Sequence, residues 1–200
     1  MYPYKTIKAG EILKCIFLTD YFFLSDIIAG IDWAIKNKMQ VINMSLGGSE
    51  DSIILQQALQ KAVSAGITIV AAAGNNGDGG DGVDTMNYPA KYPEVISVGA
   101  IDGSEQVAAY SSRGSELDVV APGSYILSTF NNGGYIINDG TSMATAHVTG
   151  EIADILSYNP QLNPIQIKAI VMQTATPLGP QTSYGSGLIN VARAIANANQ

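Results

Sequence analysis

Two hundred residues with 46% apolar content are enough to bury a substantial core, and they are read here as one domain. Ten basic against 17 acidic residues give a net charge of -7, which excludes a nucleic-acid partner, because neutralising phosphates takes clustered Lys and Arg. The single Cys15 excludes an internal disulfide framework.

In chain order, the apolar stretch Ile12 to Phe23 is broken by Lys14 and Asp20, so it fails as a membrane span and as a secretory h-region. From Leu24 onward helices and strands alternate. A helix from about Ser25 to Lys36 buries Ile27, Ile28, Ile31 and Ile35, and Val41 to Ser45 is a short strand. The next helix carries Ile54, Leu55, Ala58, Leu59, Ala62 and Val63 at helical spacing and stops at Gly66. Ile67 to Ala72 is apolar enough for a central parallel strand covered on both faces.

A loop rich in Gly and Asp follows Gly74, then strands at Val95 to Gly99 and Leu117 to Ala121. Asn132-Gly133-Gly134 marks a hairpin turn between Ile126 to Phe130 and Tyr135 to Asn138. A helix then runs to about Ser157, another opens at Asn163-Pro164, and a last is capped near Asn190. The pattern predicts an α/β fold: a doubly wound, mostly parallel sheet with helices on both faces.

Gly140-Thr141-Ser142-Met143-Ala144 sets a hydroxyl where a strand breaks into a helix, and Ser142 there faces the positive end of the helix dipole. With His147-Val148 and Gly150, this block resembles the serine motif of the subtilisin-like serine proteases (subtilases, peptidase family S8). Val41 to Gly48 resembles the family's substrate-flanking strand, Ala71 to Asn75 its oxyanion-hole segment, and Tyr184 to Asn190 its C-terminal signature. The resemblance covers roughly Leu24 to the C-terminus, so residues 1–23 stand as an unmatched segment and 24–200 as a partial subtilisin-like peptidase domain.

By that resemblance the function is peptide-bond hydrolysis through an acyl-enzyme on Ser142, with the Asn75 amide as oxyanion donor. The plainer reading of Ser142 is a helix N-cap, and of Asn75 a turn residue. Ser45, Leu46, Gly47 and Gly48 form one wall for an extended peptide, and Ala72, Ala73 and Gly74 the other. Small residues there let a substrate backbone approach and pair as an added strand.

The partners implied are a peptide or protein substrate, with no nucleic acid and no membrane. No cofactor is required for the chemistry. A structural calcium is possible at a weak cation site made by the carbonyls of Ala90, Tyr92 and Val95 with the carboxylate of Asp118. The compartment stays open, since the family is mostly secreted with some intracellular members.

The resemblance also implies an Asp-Thr-Gly and a His-Gly-Thr-His motif upstream of Leu24, and residues 1–23 contain neither. The only histidine is His147, five residues past Ser142 and so rotated by roughly 140° around the helix. The chain is therefore expected to be inactive alone, as a truncated or frameshifted product or with a complementing N-terminal segment. The alternative is a non-catalytic peptide-binding module.

Two further patterns carry less. Gly77 to Gly82 has dinucleotide-loop spacing but is followed by prolines rather than a helix, and Asp78, Asp81 and Asp84 lack EF-hand spacing. Inside the serine helix, Ala146 replaces the family's usual Pro. Glu151 and Asp154 stand where small or apolar residues are usual; since an unpaired carboxylate on a buried helix costs several kcal/mol or is protonated, either this helix is less covered than in a complete protease or the sequence has drifted without selection.

Overall fold

The computed structural model describes residues 24–198 except 81 and 132. The expectations placed on Cys15, Ile12 to Phe23, Asp81 and Asn132 lie outside the described residues.

Four strands form one parallel sheet in the order β1-β2-β3-β4: β1 (Val41–Met44), β2 (Thr68–Ala72), β3 (Ile96–Ile101) and β4 (Val119–Pro122). Every residue of β1, β2 and β3 is buried, as both-face coverage requires. Alternation sorts the side chains. Ile42, Met44, Ile69 and Ala71 join a core with Ile31, Leu55 and Leu59, while Val41, Val70, Ile96 and Val98 join another with Val148, Ile152, Ile155 and Val171.

The first core lies under α1 (Leu24–Lys36) and α2 (Ile53–Ser64). The second lies under α3 (Thr141–Tyr158), α4 (Pro164–Thr174) and, beyond a short α5 (Gln181–Tyr184), α6 (Val191–Ala198). This is the doubly wound arrangement predicted. β5 (Ile126–Thr129) and β6 (Tyr135–Asn138) pair antiparallel in a separate two-stranded sheet.

Some details differ from the pattern. The buried stripe of α2 is Leu55, Ala58, Leu59 and Ala62, and Ile54, a third of a turn off it, is 62% exposed. On α1 only Ile31 of the four isoleucines is fully buried, with Gly30 and Ala34 completing its inner face. The single turn α5 carries no periodicity and was not predicted.

Helix α4 starts as its sequence dictates. Asn163 accepts from the Gln166 N–H, the Gln166 side chain accepts from the Asn163 N–H, and Pro164 fills the first turn. Asn163→Ala removes half of this exchange and is expected to cost about 1 kcal/mol in urea denaturation, with Asn163→Ser recovering most of it.

Candidate active site

Three chain segments converge beyond the carboxyl ends of β1 and β2, where open α/β sheets gather ligands. β1 delivers Ser45 to Gly48, β2 delivers Ala73 to Asn75, and α3 begins there. Its N-cap is Gly140, with φ of 152° and no side-chain cap, so Ser142 stands one residue inside the helix and its hydroxyl is not spent as a cap.

Ser142 is half-buried. Its Oγ donates to the Ser45 carbonyl at 3.3 Å, and Ser45 Oγ donates back to the Ser142 carbonyl at 2.9 Å. Behind the pair, Asn43 Nδ2 donates to Ser45 Oγ at 2.9 Å, and Thr149 Oγ1 lies 2.9 Å from Asn43 Oδ1. Buried Asn43 and Thr149 thus fix β1 against α3 by polar bonds that leave neither orphaned.

The Asn75 amide is oriented by Thr141. Its Oδ1 accepts from the Thr141 N–H at 3.0 Å and lies 2.9 Å from Thr141 Oγ1. A backbone N–H can only donate, so the amide oxygen must face Thr141 and Nδ2 must face away. A Cβ placed on Gly140 would lie 3.5 Å from Asn75 Nδ2 and 3.7 Å from the Ser142 nitrogen, so two donors border one small space that glycine keeps open. Among the described residues no acceptor takes the Ser142 N–H. Thr141, inside the serine motif but given no role from sequence, is the residue that aims Asn75.

Ser142, Asn75 and Thr141 border a cleft of about 630 Å³ whose walls include Ser45, Leu46, Gly47, Gly48, Ala72 and Gly74. Ala73 is not among them. It is fully buried, donating to the Val98 carbonyl and accepting from the Asn87 N–H. Gly48 exchanges both backbone bonds with Tyr88, while among the described residues the backbone groups of Leu46 and Gly47 have no partner. The cleft also receives Asn87, whose Oδ1 accepts from Asn76 and whose Nδ2 would lie 2.8 Å from a Cβ on Gly74.

His147 is exposed. Its Nδ1 sits 3.0 Å from the Met143 carbonyl, a group that only accepts, so the ring carries its proton there and turns away from Ser142.

Of the four groups expected to hold a cation, Ala90, Tyr92, Val95 and Asp118, two already face an ammonium. Lys168 Nζ lies 2.7 Å from the Val95 carbonyl and 2.8 Å from Asp118 Oδ2, which also accepts from the Ser97 N–H and hydroxyl. The Tyr92 carbonyl accepts from the Val95 N–H, and among the described residues no group of three His, Cys, Asp or Glu could hold a metal. An ammonium thus already neutralises Asp118, and Lys168→Met is expected to lower stability by about 1 to 2 kcal/mol in urea denaturation by leaving that nearly buried carboxylate less compensated.

Two aspartates of the glycine-rich loop, Asp78 and Asp84, are dispersed into separate ion pairs. Asp78 faces Arg113 at 3.4 Å and Asp84 faces Lys91 at 2.6 Å. Burial pushes the Asp84 carboxyl up, but the bonds from Lys91 and the Met86 N–H and the Lys91 charge outweigh it and hold the group below the usual range. No helix opens between Gly82 and β3, so the loop lacks the support a dinucleotide phosphate needs.

Glu151 on α3 is 1% exposed, and neither carboxyl oxygen makes a well-formed hydrogen bond. Burial pushes its pKa up to about 7, against a lowering by the Asn190 backbone and with a further rise from Asp154.

A sequence model of the Subtilase family matches residues 17–187. Subtilisin E of Bacillus subtilis is 54% identical over 168 residues, which are 84% of this chain and 44% of that protein. Subtilisin of Bacillus pumilus is 53% identical over 168 residues, covering 84% of this chain and 61% of the relative. The chain thus spans about half the length of the curated relatives it matches. Among solved structures, the prenylagaramide maturation protease PagA superposes with a TM-score of 0.81 at 28% identity, covering 91% of this chain and 71% of that one.

Proposed function

Because the chain belongs to the subtilase family of serine peptidases, we propose that it carries the nucleophile, the oxyanion donor and the substrate cleft of a serine endopeptidase, but not the base that would activate them. The observation that carries this reading is the convergence of Ser142 Oγ, Asn75 Nδ2 and the Ser142 N–H on one cleft whose floor bonds Asn75 by its oxygen alone.

In the proposed reaction an extended peptide lies against Leu46 and Gly47, whose backbone groups have no other partner among the described residues, and pairs with them as an added strand. Ser142 Oγ adds to the scissile carbonyl carbon, and its proton passes to an imidazole. The carbonyl oxygen, now negative, accepts from Asn75 Nδ2 and the Ser142 N–H at the positive end of α3. Collapse expels the amine with the same proton and leaves an acyl-Ser142 ester that water then hydrolyses. The family's chemistry uses no cofactor. Removing such an amide donor costs about 2.7 to 4 kcal/mol of transition-state stabilisation, a value established on a subtilisin itself.

The imidazole is the missing part. His147 faces solvent from the far side of α3, and Ser142 Oγ rests on a carbonyl that cannot take its proton. The base and its orienting carboxylate must come from outside these 200 residues, from more of the same protein or from a complementing N-terminal segment. A cleft complete in its walls without a base also supports a second reading, a peptide-binding module without turnover.

Binding separates either reading from a scaffold with no ligand. A fluorescent peptide of mixed sequence is expected to bind the folded chain, and Gly47→Val, whose Cβ would meet the Tyr88 carbonyl at 2.9 Å, is expected to weaken it at least tenfold. Equal binding by both proteins would count against the cleft.

A further inference from the structure

Asn87 carries a side chain into the cleft where both walls are glycine. A Cβ on Gly47 would lie 3.1 Å from Asn87 Cβ, and a Cβ on Gly74 would lie 2.8 Å from its Nδ2 and 3.0 Å from its Cγ. The side chain therefore touches both walls at once and fills the gap that the two glycines leave between them.

Its orientation is fixed by hydrogen bonds. The Asn87 N–H donates to the Ala73 carbonyl at 2.8 Å, which ties its backbone to the chain leaving β2. Asn76 Nδ2 donates to the Thr85 carbonyl at 3.0 Å and, with its second hydrogen, to Asn87 Oδ1 at 2.9 Å. A carbonyl can only accept, so the Asn76 nitrogen must face that way, and the Asn87 oxygen must face Asn76. Asn87 Nδ2 is left toward the glycines, and its hydrogens meet no acceptor among the described residues.

The place of this donor follows from chain order. Gly74 directly precedes Asn75, and its N–H lies 3.3 Å from Thr141 Oγ1, beside the two donors that would hold the scissile carbonyl oxygen. The side chain of the residue that owns this carbonyl branches next to it, enters between Gly74 and Leu46-Gly47, and runs toward Asn87.

We propose that Asn87 closes this slot and selects substrates whose residue on the acyl side of the scissile bond is short, neutral and hydrogen-bond accepting, asparagine above all. The inference rests on the reading of the cleft given above. An aromatic or long aliphatic side chain meets the Asn87 amide before it is covered, and it strips water from Nδ2 without replacing the bond. Asparagine ends in a carbonyl that takes the donor. A carboxylate finds no counter-charge, because no Lys, Arg or His is among the described residues lining the cleft, whereas Glu50 is.

Product-like peptides test this without turnover. In acetyl-dialanyl peptides ending in asparagine, leucine, phenylalanine or aspartate, the free C-terminal carboxylate takes the oxyanion donors and sets the last side chain in the slot. By calorimetric titration of the full chain, asparagine is expected to bind about tenfold more tightly than leucine, which has its shape without the acceptor, and at least tenfold more tightly than phenylalanine or aspartate. Asn87→Gly deepens the slot and removes the donor, so phenylalanine is expected to overtake asparagine. Asn87→Ala makes the same comparison if the glycine variant loses its cooperative melt. Leucine or phenylalanine binding as tightly as asparagine, or an order unchanged in the variant, would overturn the role of Asn87 and leave the cleft standing. Binding by none of the four would overturn the cleft itself and this inference with it.

Discussion

Peptide hydrolysis by the 200-residue chain is expected to be the same before and after Ser142→Ala, within the error of the background rate. In an activated serine peptidase that substitution removes the nucleophile, and on a subtilisin the loss of the Ser or of the catalytic His alone costs about 2 × 10⁶ in kcat, a value established on that relative. Nucleophile and base act as one unit, so under the proposed reading, in which no base reaches Ser142, the serine has little left to lose. Here Ser142 Oγ donates to the Ser45 carbonyl, and the single imidazole of the chain holds the Met143 carbonyl from the solvent side. What remains is the cleft and its oxyanion donors, which by themselves leave about 10³ to 10⁴ over water. A fluorogenic peptide assay with both proteins at matched concentration checks this, and a thousandfold drop in Ser142→Ala would show that a base reaches Ser142 after all.

The second large effect is on stability. Glu151→Met is expected to make the protein more stable by about 3 kcal/mol at pH 8 and to change it little at pH 4. The Glu151 pKa is raised by burial from 4.5 to about 7 on folding, so the group binds a proton more tightly in the folded state. Its stability contribution is therefore fully present below about pH 4.5 and is lost as pH rises through the folded value near 7. Above that, a charged carboxylate without a well-formed hydrogen bond stays buried beside α6, with Asp154 on the same helix adding repulsion. Met has nearly the same length and no charge to desolvate. Urea denaturation of both proteins at the two pH values reads the difference directly, and an equal gain at pH 4 and pH 8 would assign it to packing instead of ionisation.

Strong signals in the sequence were local ones. The apolar run ending at Ala72, the helix start at Asn163-Pro164 and the Gly140 break all specify their own elements, and each was legible with nearly correct bounds. Glu151 and Asp154 stood out together as departures from the family's usual small or apolar residues, and the structure separates them: Glu151 is buried without a well-formed hydrogen bond, whereas Asp154 is exposed. Relations between distant segments were harder to see. Nothing in the sequence says that Thr141 grips Asn75 across 66 residues, or that Asn43 reaches Thr149 and Ser45, because hydrogen bonds of that kind depend on how the sheet brings its strand ends together. Ala73 shared the motif of the cleft wall yet turned into the core, since alternation along an extended chain sends neighbours to opposite sides. The cation expectation met a lysine on α4, which sits 73 residues from Val95 and carries no motif.

The central claim is that Ser142 and its oxyanion donors are assembled without an activating base, and its most direct measurement is labelling by a fluorophosphonate probe. Incubated beside subtilisin E under the same conditions and mapped by mass spectrometry, the 200-residue chain is predicted to carry no adduct on Ser142 when the relative is fully labelled. Labelling of Ser142 at a rate comparable to that of the relative would contradict the account.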